Sequence, residues 1–261
     1  MLSKEPFELE KYLRVAGGTR PEAFDWTEMG DRLDPEALFC LGYMMDIESH
    51  TIIYMKELLS TSVVRDPSIT AFLSCWVSEE FFHSQILKRF LLGQGVTVDD
   101  ARFTALRREP VSSRITASIA TILSHLTRHF PAVHMTWGAV NELSTLTGYQ
   151  ALVARTDHPF LTRVLQAIVK DERRHFAFYF SQARQRLRYP AAQRLTSFLL
   201  RRFWAPVGSA VRGDSDMRRM CAYLFEPPES HVALTEHDRV IASLPGLGWF
   251  DLASRYCAAA T

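Results

Sequence analysis

Four stretches of this chain place apolar residues three and four positions apart, the spacing of one helix face turned toward a core. In the first, Leu41, Met44, Met45, Glu48, Ile52, Met55 and Leu59 share a stripe. In the second the stripe is Leu73, Trp76, Val77, Glu80, His83, Ser84, Leu87 and Leu91. Met135, Gly138, Glu142, Thr145, Leu146 and Tyr149 form the third, and Leu161, Leu165, Ile168, Glu172, His175, Phe176 and Tyr179 the fourth. Proline after a capping residue marks helix starts: Asp34-Pro35 opens a helix to about Ser60, and Asp66-Pro67 one ending near Gly93 and Gly95. A polar helical stretch follows VTVDD, and Ser112 or Ser113 is positioned to cap a helix to about His129. Pro131 starts or kinks a helix through Arg155, and Pro159 opens one to about Arg188. Pro190 opens another that ends by Gly213, residues 214–226 form a further helix, and EPPES breaks it. One short helix, a PGLG turn and a final short segment complete the pattern. No period-two alternation is strong enough for a strand, so the expectation is an all-α fold.

Those four faces also carry charge where charge is costly. Stripping water from an ionised glutamate costs several kcal/mol or more unless it is paired, and four inward carboxylates repel one another. Their spacing repeats: Glu48 is followed by Glu80 and His83, and Glu142 by Glu172 and His175. Glu80 to Glu172 and His83 to His175 are both 92 positions, and Glu48 to Glu142 is 94. Residues three apart lie on one helix face, so each Glu-x-x-His pair can bind one metal, with Glu48 and Glu142 completing or bridging the pair. Glu79, four before His83, shares that face too; Glu80 is preferred because the two motifs then match. Four carboxylates and two imidazoles without thiolate suit iron, or manganese, better than zinc or copper. Two irons about 3.5–4 Å apart reduce dioxygen together. Each motif is preceded by a second acid. Asp171 is expected to accept a hydrogen bond from the non-ligating nitrogen of His83, and Glu79 from that of His175.

Composition narrows the class. At 261 residues and 47% hydrophobic, the chain reads as one globular domain over 1–261, with a metal-binding bundle over about 35–190 and accessory helices after it. A formal net charge of +1 offers no global attraction for nucleic acid or an anionic membrane. Cys40, Cys75, Cys221 and Cys257 form no CxxC pair and no zinc spacing, which suits reduced thiols in the cytoplasm. The opening MLSKEPFELEKY is too acidic and polar for a targeting peptide, and no apolar run is long enough for a transmembrane segment.

At these residues the chain resembles the ferritin-like diiron carboxylate proteins, and within them the soluble acyl-ACP (acyl-carrier-protein) desaturases. Trp76-Val-Ser-Glu-Glu-Phe-Phe-His83 is similar to their Trp-x-x-Glu-Glu-x-Arg-His, with Phe82 where they usually carry Arg. Lys170-Asp-Glu-Arg-Arg-His175 is similar to their Asp-Glu-Lys-Arg-His. Asn141-Glu-Leu-Ser-Thr145 places a threonine where they keep one beside the oxygen site. The resemblance spans residues 35–190; the chain is shorter than the plant enzymes and lacks their long N-terminal extension.

The resemblance implies a ferritin-like four-helix bundle with additional helices, holding two Fe ions. It implies O2-dependent desaturation of a fatty acyl chain on acyl carrier protein, by a homodimer. Reducing dioxygen to two waters takes four electrons and a new C=C bond supplies two, so a ferredoxin-type donor supplies the rest. Thr145 would tune the oxygen side, and Trp26 would stand in an electron path through Asp171 and His83. Acyl carrier protein is acidic, which makes Arg184, Arg186, Arg188, Arg194, Arg201 and Arg202 a candidate docking face. Other readings compete. Iron storage fits poorly with the 62 positions between Glu80 and Glu142 and the helices after the last ligand. A radical-generating ribonucleotide reductase subunit would want tyrosine at Leu87. A ferritin-like diiron oxygenase, of N-oxygenase type, acting on a small biosynthetic metabolite uses the same ligands and is the main alternative.

Overall fold

Side-chain caps begin three of the four long helices. In the computed structural model, which describes residues 7–106, 111–226 and 228–259, the Asp34 carboxylate accepts from the backbone N–H of Glu36 and Ala37 and starts α2. Asp66 does the same for Ser68 and Ile69 at α3, and His158 accepts from Leu161 at α7. Proline follows each cap, where its missing N–H is no loss. In chain order the helices are α1 (Leu9–Val15), α2 (Pro35–Leu59), α3 (Pro67–Gly93), α4 (Asp100–Leu106), α5 (Val111–Leu126), α6 (Phe130–Arg155), α7 (Pro159–Arg186), α8 (Pro190–Phe203), α9 (Ser209–Arg212), α10 (Asp214–Phe225), α11 (Pro228–Ala242) and α12 (Leu252–Ala258). The fold is all-α, with no strand among the described residues. No helix among them is long and apolar enough to cross a membrane.

Short connections fold α2 against α3 and α6 against α7 as two antiparallel hairpins. Gly138 lets α6 and α7 approach closely, since a Cβ there would stand 2.3 Å from the Tyr179 ring. The C-terminal helices α8, α10 and α11 pack on α6, with α9 and α10 also against α2. One apolar cluster runs from Tyr12 to Cys257. α4 and α9 are tied to α2 through Asp46, whose wholly buried carboxylate accepts from Arg102 and Arg212.

Three expectations change. The helix opened by Pro190 stops at Phe203 rather than near Gly213, because Pro206 cannot donate a backbone hydrogen bond and disfavours helix in Ala205. Helix α5 begins at Val111, ahead of Ser112 and Ser113. Ile52 and Leu59 are about half exposed, so the α2 stripe narrows toward its C-terminal end. In addition, α11 begins within EPPES, at Pro228, and runs for 15 residues; Pro227 lies outside the described residues.

Candidate metal centre

The four long helices bring all six expected side chains together. Glu48 comes from α2, Glu80 and His83 from α3, Glu142 from α6, and Glu172 and His175 from α7, and all six are buried. They form two groups that could each hold a metal ion, Glu48/Glu80/His83/Glu172 and Glu80/Glu142/Glu172/His175, with the donor atoms of each within 4.8 Å of one another. Glu80 and Glu172 belong to both groups, so the shared position falls to the motif glutamates and not to Glu48 or Glu142.

Both imidazoles turn Nδ1 inward. His83 Nδ1 lies 3.0 Å from Glu172 Oε1, and His175 Nδ1 lies 2.9 Å from Glu80 Oε1 and 3.4 Å from Glu172 Oε2. None of these approaches is aligned as a hydrogen bond. Both Nδ1 atoms, both Glu172 oxygens and Glu80 Oε1 are buried without a hydrogen-bond partner. Buried polar atoms are seldom left so, and these belong to the residues of the two donor groups. The donor set therefore fits a pair of hard or borderline cations.

Behind each ring a carboxylate fixes the other nitrogen. His83 Nε2–H donates to Asp171 Oδ2 at 3.2 Å, and His175 Nε2–H to Glu79 Oε2 at 2.7 Å. This leaves Nδ1 as the inward donor atom in both. The N-terminal segment completes that rear wall. Tyr12 hydroxyl and Gly17 N–H donate to Glu79, and Thr19 N–H donates to Asp171. Arg174 ion-pairs with both acids. Gly18, at φ +58°, passes so close that a Cβ would meet Glu79 Cγ at 2.8 Å. Sequence reasoning missed this strap; the Gly17-Gly18 pair was its only trace. It also missed Tyr149, whose fully buried hydroxyl donates to Glu48 Oε1 at 2.5 Å.

Without metal, protons balance the cluster. Burial raises Glu48 well above its usual value, with Glu80 adding to the effect. Burial, aided by Glu172, raises Glu80 to about 7 and Glu142 to about 8. Burial opposes charge on Glu172 also, but His175 and His83 beside it hold it at about 2. Burial likewise opposes a charged His83, yet Asp171 and Glu172 raise it to about 10. Metal ions must displace these protons. Divalent-metal affinity should therefore rise with pH between 6 and 8, by up to about tenfold per pH unit for each proton released, read by titration in several buffers.

The metal-free fold should show the opposite trend. Glu80 and Glu142 hold protons in the folded chain up to about 7 and 8, against 4.5 unfolded, and His83 holds its proton to about 10, against 6.5. More protons are then bound folded than unfolded, so stability falls as pH rises through that window. A melting midpoint of the metal-free protein that is flat or rising from pH 6 to 9 contradicts this charge arrangement.

Other expected residues are placed as follows. Thr145 is half-buried and lies where two cavities meet beside Glu48. One is a cleft of about 790 Å³ whose wall includes Glu48, Glu80 and Glu142 and whose rim includes Phe203. The other is an apolar pocket walled by Tyr43, Met44, Met217, Met220, Leu224 and Leu234. Trp26 does not donate to Asp171: its indole N–H goes to the Pro21 carbonyl at 2.7 Å, and its ring packs on Phe160 under Arg89. Among the arginines, Arg184, Arg188, Arg194, Arg201 and Arg202 are exposed, whereas Arg186 is half-buried and ion-paired with Asp66. No family model matches the chain, and no curated protein matches it.

Proposed function

We propose that this chain is a ferritin-like, dinuclear-iron oxidoreductase that uses O2 and external electrons to desaturate a fatty acyl chain carried by acyl carrier protein. The observation that carries the reading is the pair of buried carboxylate–imidazole groups sharing Glu80 and Glu172, with donor atoms of these residues left without hydrogen-bond partners. Two irons held there would supply reduction of dioxygen and oxidation of an unactivated C–H bond.

The protein's own contribution is placement. Asp171 and Glu79 keep both rings in one tautomer and orientation. The pocket walled by Tyr43, Met44, Met217 and Leu224 is apolar and reaches Glu48, the surroundings an acyl chain would require. Thr145 stands at the junction of pocket and cleft, where its hydroxyl can hand on a proton. Arg201 and Arg202 immediately precede Phe203 at the cleft rim, which suits an acidic carrier delivering its arm there. The ferredoxin-type donor and the homodimer belong to the same reading.

A second reading, oxygenation of a small metabolite, is favoured by one feature. The cleft wall includes His50 and Asn141, polar groups that a bare acyl chain does not require. The test is anaerobic Fe(II) loading, then oxygen, with acyl carrier substrates of several lengths and mass analysis of products. Loss of two hydrogens supports desaturation; gain of an oxygen atom supports the second reading; an iron-loaded protein that consumes no oxygen with reductant overturns both. Reversing Arg201 and Arg202 to glutamate should weaken carrier binding at least about tenfold at low salt. Unchanged affinity removes that docking face.

A further inference from the structure

Cys221 on α10 and Cys257 on α12 hold their sulfurs 2.8 Å apart, both buried, with 36 positions of chain between them. Neither is in a disulfide. A bonded pair sits at about 2.05 Å, so less than an ångström of side-chain movement separates the two states. Cys257 lies in the wall of two cavities, the apolar pocket beside Glu48 and a second one lined by His231, Thr235 and Arg255. A small oxidant therefore has an approach to this sulfur. Cys221, wholly buried behind it, is placed to follow.

We propose that Cys221 and Cys257 are a redox-active dithiol that hydrogen peroxide converts to a disulfide, fastening α12 to α10. The Cys257 sulfur attacks one peroxide oxygen, the O–O bond breaks, and a sulfenic acid and one water form. The Cys221 sulfur then attacks that sulfenic sulfur; the S–S bond forms, the S–O bond breaks, and a second water leaves. Two thiols lose two electrons and two protons, and peroxide becomes two waters.

The bond joins the two sides of one pocket. Met217, Met220 and Leu224 of α10 line it, as do Ala253 and Tyr256 of α12. At its other end α12 is held by Asp238, which accepts from the Ala253 and Ser254 backbone N–H groups. The disulfide would add a covalent tie at the second end, where Tyr256 donates to Asp214 and Arg218 to the Ala259 carbonyl. It does not depend on metal at the Glu/His cluster.

The test uses the full chain, stripped with chelator, exposed to hydrogen peroxide, quenched with catalase, then denatured, alkylated and mapped by mass spectrometry. The expected result is a fall from four alkylated cysteines to two, a Cys221–Cys257 linked peptide, and reversal by dithiothreitol. The oxidised form should melt about 5 °C or more higher. In Cys221→Ser, dimedone should label Cys257. Four alkylated thiols after treatment, a link through Cys40 or Cys75, or oxidation of Cys257 without a cross-link would each overturn the proposal. The wild-type map decides alone should the variant fail to fold.

Discussion

Glu172→Ala should bind almost no iron, whereas Glu142→Ala should still bind about one ion per chain. The difference follows from sharing. Glu172 offers an oxygen to each donor group, but Glu142 belongs only to the group with His175. Removing Glu172 also takes away the carboxylate lying between the two imidazoles, 3.0 Å from one and 3.4 Å from the other. Anaerobic Fe(II) loading, desalting and elemental analysis give the count, and a thermal melt confirms that each variant is folded. Two ions retained in Glu172→Ala would reject Glu172 as a shared ligand and leave Glu80 as the one carboxylate common to both groups.

Asp46→Ala should cost about 3 kcal/mol of stability, the lower end of the range for breaking a buried ion pair, and lower the melting midpoint by about 6–12 °C. Asp46 is wholly buried and is the common acceptor for Arg102 from α4 and Arg212 from α9. The lower end applies because both arginines keep some access to water, at 30% and 18% side-chain exposure. Arg212 also retains Asp216. Urea denaturation gives the measurement. A loss under about 0.5 kcal/mol would place Asp46 among weak surface pairs instead.

Those two residues show where sequence reading works and where it stops. Glu172 could be found because an acid inside an apolar helical stripe contradicts its surroundings, and because the motif occurs twice. Asp46 sits only two positions before Glu48, yet its partners lie 56 and 166 positions away, and no periodicity connects them. Asp171 and Glu79 were legible as acids beside a motif, but Thr19 and Gly17 behind them were not, being brought there by a loop after α1. From sequence Tyr149 is one more aromatic on the α6 stripe, since nothing local distinguishes a phenol that packs from one that donates to Glu48. The role of Trp26 rests on the family resemblance alone, and its indole N–H goes to the local Pro21 carbonyl. The break after Phe203 was readable in principle from Pro206.

The strap from Tyr12 to Thr19 has a temporal consequence. It precedes both of the helices whose carboxylates it bonds, α3 and α7, the latter more than 150 positions later. Until α7 has emerged and docked, the strap has only the α3 half of its seat, and His83 lacks the carboxylate behind its ring. Cation capture should therefore be a closing event of maturation, and a nascent chain cut before residue 175 should ignore iron altogether.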